Sequence, residues 1–228
     1  MAASGTLDIF LRSTFGVEPG SHVGRELRDL SNEIALKKGK TAPLDHSINL
    51  TVYLASGATK LVAHAKGGRE QIVAFHFGGD IISVPADAMH ASSLVALKDS
   101  LLIVFPSREF YDRGASEPAI LRPLLDRAQT ALHRCRDKAV GLGRKNARER
   151  VASFLLSMAE RMESVEEEAL VLDLPMSRRD IADSLGLTIE TVSRQFGELR
   201  DAGLVLTGGR SRVRLCDPAA LADMAGHF

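Results

Sequence analysis

The chain has 228 residues, 45% hydrophobic and 25% charged, with 29 basic and 29 acidic side chains and a formal net charge of +0. That composition excludes a disordered or collagen-like chain and any whole-molecule attraction to nucleic acid, so a DNA-binding reading must rest on a local patch and a motif. Apolar runs fall short of the roughly 18 residues a membrane span needs. The first residues lack the basic and apolar regions of a signal peptide. Cys135 and Cys216, the two cysteines, are too few for a disulfide framework and have no CxxC metal spacing. A cytoplasmic protein without a membrane partner is expected.

Residues 1–32 are weakly patterned, with Leu27 and Leu30 among charged neighbours suggesting a short helix. From Glu33 to Phe105 short apolar stretches alternate with turns: Leu50–Leu54 before Ser56-Gly57, Leu61–Ala65 before Gly67-Gly68, Gln71–Phe77 before Gly78-Gly79, then Ile81–Val84, Leu94–Leu97 and Leu101–Phe105. Close spacing with glycine turns predicts an antiparallel sandwich or barrel.

After Pro118 the period changes. Leu121, Leu124, Ala128, Ala131, Cys135 and Leu142 follow the spacing of a coiled-coil seam, interrupted where Lys138 falls at a d position; Leu125, Leu132 and Ala139 widen the stripe on one side. A long apolar stripe has to be buried, and pairing with a second copy of the chain does so. The predicted dimer interface is Leu121, Leu124, Ala128, Ala131, Leu132, Cys135 and Leu142, against the alternative of a helix packed within a monomer. Gly141-Leu142-Gly143 reads as a hinge, giving domains over 1–117, 118–143 and 144–228. A helix over Ala147–Met162 follows, then an acidic loop over Glu163–Glu168 and a brief strand before Pro175.

Ser177 is a good N-cap for a helix carrying Ile181, Ala182 and Leu185, and Gly186 closes it. Thr188 caps a second helix, Ile189–Ala202, ended by Gly203. Two short helices joined by a tight glycine turn make a helix-turn-helix. In the second, Val192, Phe196 and Leu199 face inward, leaving Ile189, Glu190, Ser193 and Arg194 at the N-terminal end to read base edges in the major groove of double-stranded DNA. Arg194 suits guanine, Glu190 cytosine and Ser193 several edges, with Glu190 expected to be oriented by Arg194. Ser177, Arg178, Arg179, Thr188 and Thr191 are candidate phosphate contacts. Leu204–Thr207 and Ser211–Leu215 flank Gly208-Gly209 as a hairpin that adds Arg210, Arg212 and Arg214 to the basic patch.

The run Met176-Ser-Arg-Arg-Asp-Ile-Ala-Asp-Ser-Leu-Gly-Leu-Thr-Ile-Glu-Thr-Val-Ser-Arg194 closely resembles the recognition motif of CRP/FNR-type regulators, and Gly143–Leu156 the helix before it. Leu54-Ala-Ser-Gly57, Gln71–Phe75 and Gly78-Gly-Asp80 are similar to the family's N-terminal domain. The resemblance covers roughly residues 33–216. It implies an α+β chain: an antiparallel β-roll like a cyclic-nucleotide sensor, a long dimerisation helix and a C-terminal winged helix-turn-helix. Glu190-Thr191-Val192-Ser193-Arg194 resembles the FNR/FixK branch and implies an activator that binds an inverted repeat of TTGAT-like half-sites and contacts RNA polymerase.

For the effector the residues speak mostly by omission. The family's cyclic-nucleotide pocket needs an Arg-Ser pair for the phosphate, yet the stretch Gly79–Leu97 contains no arginine or lysine, which argues against cyclic AMP. FNR's iron–sulfur cluster needs four cysteines, and none precedes Cys135. Haem stays open, with His22, His46, His64, His76 and His90 available but in no haem-ligand motif. No cofactor is predicted. Cys135 and Cys216 are candidate redox residues, Cys135 because an a position faces its twofold mate, with a small buried residue as the bland alternative. The rival readings are a cyclic-nucleotide- or gas-responsive regulator of the same architecture, an effector-free one, and a cupin-type metalloenzyme, which would want an H-x-H pair that the chain lacks. An enzyme is not expected.

Overall fold

The computed structural model describes residues 4–65, 69–86, 90–115, 117–166, 169–209 and 211–226. Two compact units result, one of residues 1–69 and 74–134, the other of 70–73 and 135–228.

The N-terminal unit opens with α1 (Ser4–Phe15) and α2 (His22–Leu30). Seven strands follow: β1 (Asn32–Leu36), β2 (Leu50–Ser56), β3 (Ala58–Ala65), β4 (Arg69–Phe77), β5 (Ile81–Val84), β6 (Ala91–Ala96) and β7 (Ser100–Pro106). They form two sheets, ordered β1-β7-β2-β5 and β4-β3-β6, antiparallel at the pairs β1/β7, β7/β2, β2/β5 and β3/β6. Then come α3 (Ser107–Gly114) and the long α4 (Pro118–Arg144).

Alternation along β2 and β7 builds two cores from one sheet. Val52, Leu54, Leu102 and Val104 point inward with Leu36, Leu50, Ile82 and Leu94. Their neighbours Tyr53, Ile103 and Phe105 point the other way, where Leu7, Phe10, Leu11, Leu27, Phe110 and Ile120 from the four helices cover them. Phe10 stacks on Tyr53 with ring centroids 3.9 Å apart. The weakly patterned start of the chain is thus a helix whose Leu7, Phe10, Leu11 and Phe15 close the outer face. The register slips between Leu54 and Ser56, and Gly57 follows at φ +93, where a Cβ would strike Ser100 Oγ and the Asp99 carbonyl; only glycine fits that corner.

The C-terminal unit holds the last turns of α4, then α5 (Ala147–Arg161), β8 (Val171–Asp173), α6 (Arg178–Leu185), α7 (Ile189–Asp201), β9 (Val205–Gly208), β10 (Arg212–Leu215) and α8 (Pro218–Met224). β8, β10 and β9 form an antiparallel sheet in that order. Gly141 and Gly143 do not break α4. The helical ladder continues to Lys145, whose N–H donates to the Gly141 carbonyl at 3.1 Å, because two glycines cost only about 1 kcal/mol each in a helix. The break comes one step later, at Asn146, which caps α5 in a reciprocal box with Glu149. Asp217 and Pro218 start α8, which the sequence reading did not foresee. Among the described residues no helix is long and apolar enough to cross a membrane.

Candidate nucleic-acid interface

Local chemistry sets the helix-turn-helix. Ser177 Oγ accepts from the Asp180 N–H at 3.1 Å while the Asp180 carboxylate accepts from the Ser177 N–H at 2.8 Å, satisfying donors that α6 would otherwise leave orphaned. At the other end Gly186 sits at φ 63, ψ 39, the left-handed conformation glycine adopts without strain, and its N–H reaches the Ala182 carbonyl. Thr188 then caps α7, accepting from the Thr191 N–H at 3.2 Å.

Val192, Gln195, Phe196 and Leu199 are buried along the inner face of α7. Glu190, Ser193 and Arg194 are exposed together on the other side, with Ile189 and Thr191 half-buried beside them. The one expected pairing is not the one found. Arg194 does not orient Glu190; it pairs with Glu198, one turn on, at 3.8 Å. Glu190 instead folds back on the helix start, where its own N–H, then Thr188, and more weakly Arg179 hold its carboxyl below the usual range. An i,i+4 partner on the same face was nearer to Arg194 than a carboxylate already engaged by the helix N-terminus.

Among the phosphate candidates, Ser177, Arg179, Thr188 and Arg212 are exposed. Arg178 is the exception: its guanidinium lies 3.3 Å from the centre of the Phe196 ring, and burial there lowers it to about 10. It remains charged at neutral pH but serves first to brace α6 against α7. Arg212 and Arg214 alternate with buried Val213 and Leu215 on β10, so both face solvent; Arg210 lies outside the described residues.

The sequence reading passed over Arg150. From α5 its guanidinium donates to three carbonyls: Leu142 at 2.8 Å, Lys145 at 2.9 Å and Leu185 at 3.1 Å. It therefore ties the end of α4 to the C-terminal end of α6, where a cation also suits the helix dipole. No local pattern marks such a residue. Gln195 is likewise unforeseen, with a buried Oε1 that has no hydrogen-bond partner among the described residues.

On α4 the exposed apolar stripe is rotated from the predicted seam. Leu124 packs against the N-terminal core beside Ile120, and Lys138 is drawn inward by backbone carbonyls. The exposed stripe is Leu121, Leu125, Ala128, Leu132, Cys135, Ala139 and Leu142, an unbroken four-three heptad in which Leu121, Leu125 and Leu132 are 51%, 57% and 50% exposed. Ala131 is exposed too, but to one side of that line. Cys135 holds a central d position of that stripe, and both cysteines are free and exposed.

Comparison with known proteins bears on the same elements. Residues 149–224 match the Crp-like helix-turn-helix domain. The nitrogen fixation regulation protein FixK of Bradyrhizobium diazoefficiens is 35% identical over 204 residues, 88% of this chain and 85% of that one. The chain belongs to the CRP/FNR superfamily of transcription regulators, on its FixK/FNR branch. The fumarate and nitrate reduction regulatory protein of Escherichia coli K12 is 29% identical over 209 residues, 89% of this chain and 83% of that one. The structure of FixK2 from Bradyrhizobium japonicum superimposes with a TM-score of 0.74 at 30% identity, covering 85% of this chain and 96% of that chain. The protein is thus a DNA-binding transcription regulator with the α+β architecture of its superfamily.

In this CRP/FNR protein the stretch after β4 is engaged from α4. Arg127 donates to the Gly79 carbonyl at 2.7 Å, and Arg134 stands 3.9 Å from Asp80. Basic groups absent from the stretch itself are therefore supplied by the helix, already matched to a carbonyl and a carboxylate. His64 is hydrogen-bonded to Ser93 at 2.8 Å.

Proposed function

We propose that the protein is a cytoplasmic transcription activator that binds, as a homodimer, an inverted repeat of TTGAT-like half-sites, one half-site per subunit, and touches RNA polymerase when bound. The observation that carries this reading is the exposed trio Glu190, Ser193 and Arg194 at the start of α7, in the sequence context of the FixK/FNR branch, and the heptad on α4 supports the pairing. Two related proteins are named as activators, a probable transcriptional activator of Rhizobium leguminosarum bv. viciae and FnrL of Cereibacter sphaeroides. The protein takes no cyclic AMP by the family's usual mode and carries no four-cysteine cluster.

Selection from random duplexes tests the site. Recovered sequences should hold two TTGAT-like half-sites in inverted orientation, centred about one helical turn apart; a single unpaired motif would overturn the dimeric reading. The wing has its own measurement. Arg212→Ala should weaken binding to every sequence alike and reduce the slope of log K against log salt by about one. An unchanged slope would take the wing out of the interface.

A further inference from the structure

Lys138 interrupts nothing on the exposed seam, because its side chain leaves the seam altogether. Its ammonium has three protons to donate and finds three acceptors: the carbonyls of Ile72 at 2.8 Å and Val73 at 2.7 Å, and Ser184 Oγ at 3.3 Å. Ile72 and Val73 lie in the β4 segment that belongs to the C-terminal unit; Ser184 is a buried residue of α6. A second tie runs beside it, from the Gln71 side-chain amide to the Asp183 carbonyl. A half-buried ammonium with no carboxylate among these acceptors is a poor device for stability. It is a good device for fixing geometry, since each bond has a direction and the three converge on one atom.

We propose that Lys138 is a positioning residue for DNA binding, clasping the segment Glu70–Val73 and α6 to α4 and so fixing where the helix-turn-helix stands on the helix that carries the seam. Half-site affinity does not depend on that placement, because α7 reads its half-site as a unit. Simultaneous reading of two half-sites does, because the distance between two α7 helices is set by how each is carried. The DNA part of the inference rests on the homodimer reading above.

Burial bears on the charge of the clasp as well. Burial lowers Lys138 from the ordinary 10.5 to about 8, opposed by the Cys135 thiol on the same helix. The other groups around it are the two carbonyls from β4 and the Ser184 hydroxyl from α6, with Glu70, Asp137 and Asp183 exposed at the margins. At neutral pH the side chain is still mostly charged, so all three of its protons are available to the three acceptors.

Lys138→Met and Lys138→Arg in the full-length protein test this in two arms. Hydrogen–deuterium exchange without DNA should be about tenfold faster in residues 70–73 and in α6 for K138M, with the melting temperature held. In the DNA arm, the preference for a full inverted repeat over a single half-site should fall about tenfold in K138M and be largely restored in K138R, at unchanged half-site affinity. Wild-type exchange in K138M overturns the clasp, as does a repeat preference equal to that of wild type. A fall in melting temperature that tracks the loss of binding would make Lys138 merely structural and also overturns it. If wild type itself shows no preference for the repeat, the homodimer reading fails, and the exchange arm still decides the clasp.

Discussion

Arg194→Ala should lower affinity for the preferred site by about 1–3 kcal/mol, roughly 5- to 150-fold, and relax selection at one guanine while leaving binding to random DNA almost unchanged. The residue projects from the exposed side of α7, opposite buried Val192, Phe196 and Leu199, so truncation removes nothing from the core. Its partner Glu198 is a weak competitor: both side chains are well exposed and 3.8 Å apart, and such pairs contribute little. The guanidinium is therefore free to leave Glu198 and make two parallel bonds to guanine. Glu190 differs, since its carboxylate is already held by the helix start and Thr188; it can accept from cytosine only by giving up those contacts or sharing them. Competition binding against a panel of single-base variants measures the effect. Equal weakening across the panel would make Arg194 a phosphate contact.

How much of this was legible follows from how far apart the cooperating residues lie. The helix-turn-helix was readable almost to the residue, because the Ser177 cap, the left-handed Gly186 and the Thr188 cap act on neighbours three or four positions away. The β-roll was readable as strands and turns, though which face of β7 met which core was not. The phase of α4 misled for a physical reason. Leu124 and Leu125 both fit a seam beginning at Leu121, and periodicity cannot choose between them. The choice is made by partners remote in sequence: the helical core of α1, α2 and α3 takes Leu124, and the β4 carbonyls take Lys138. The contact of Arg178 was hidden in the same way, since the ring under its guanidinium lies eighteen positions on. Arg150 was invisible because its acceptors are main-chain carbonyls, which leave no mark in composition.

The rotated seam makes the other large prediction. Leu125→Asp with Leu132→Asp should convert a dimer into a folded monomer and cut affinity for the full inverted repeat by about 10²–10⁴-fold, down to that of a half-site. Both leucines are at least half exposed in the single chain, so charges there meet water unless a second helix covers them. In the dimer each Asp would face apolar surface and a like charge across the twofold axis, which disfavours pairing without touching the subunit's own core. The small residues Ala128, Cys135 and Ala139 between the leucines allow the two helices to approach closely, and the leucines supply the apolar area. Leu124→Asp separates the two phases of the helix: it should lower the melting temperature through the N-terminal core rather than dissociate an otherwise intact protein. Sedimentation with a melting curve reads both variants. In wild type, mild oxidation should yield a covalent dimer that disappears in Cys135→Ser and persists in Cys216→Ser, since in-register parallel helices bring d residues face to face. A double-Asp variant that still sediments as a dimer would place the interface elsewhere, with Leu121 through Leu142 left as an exposed stripe that something else must cover.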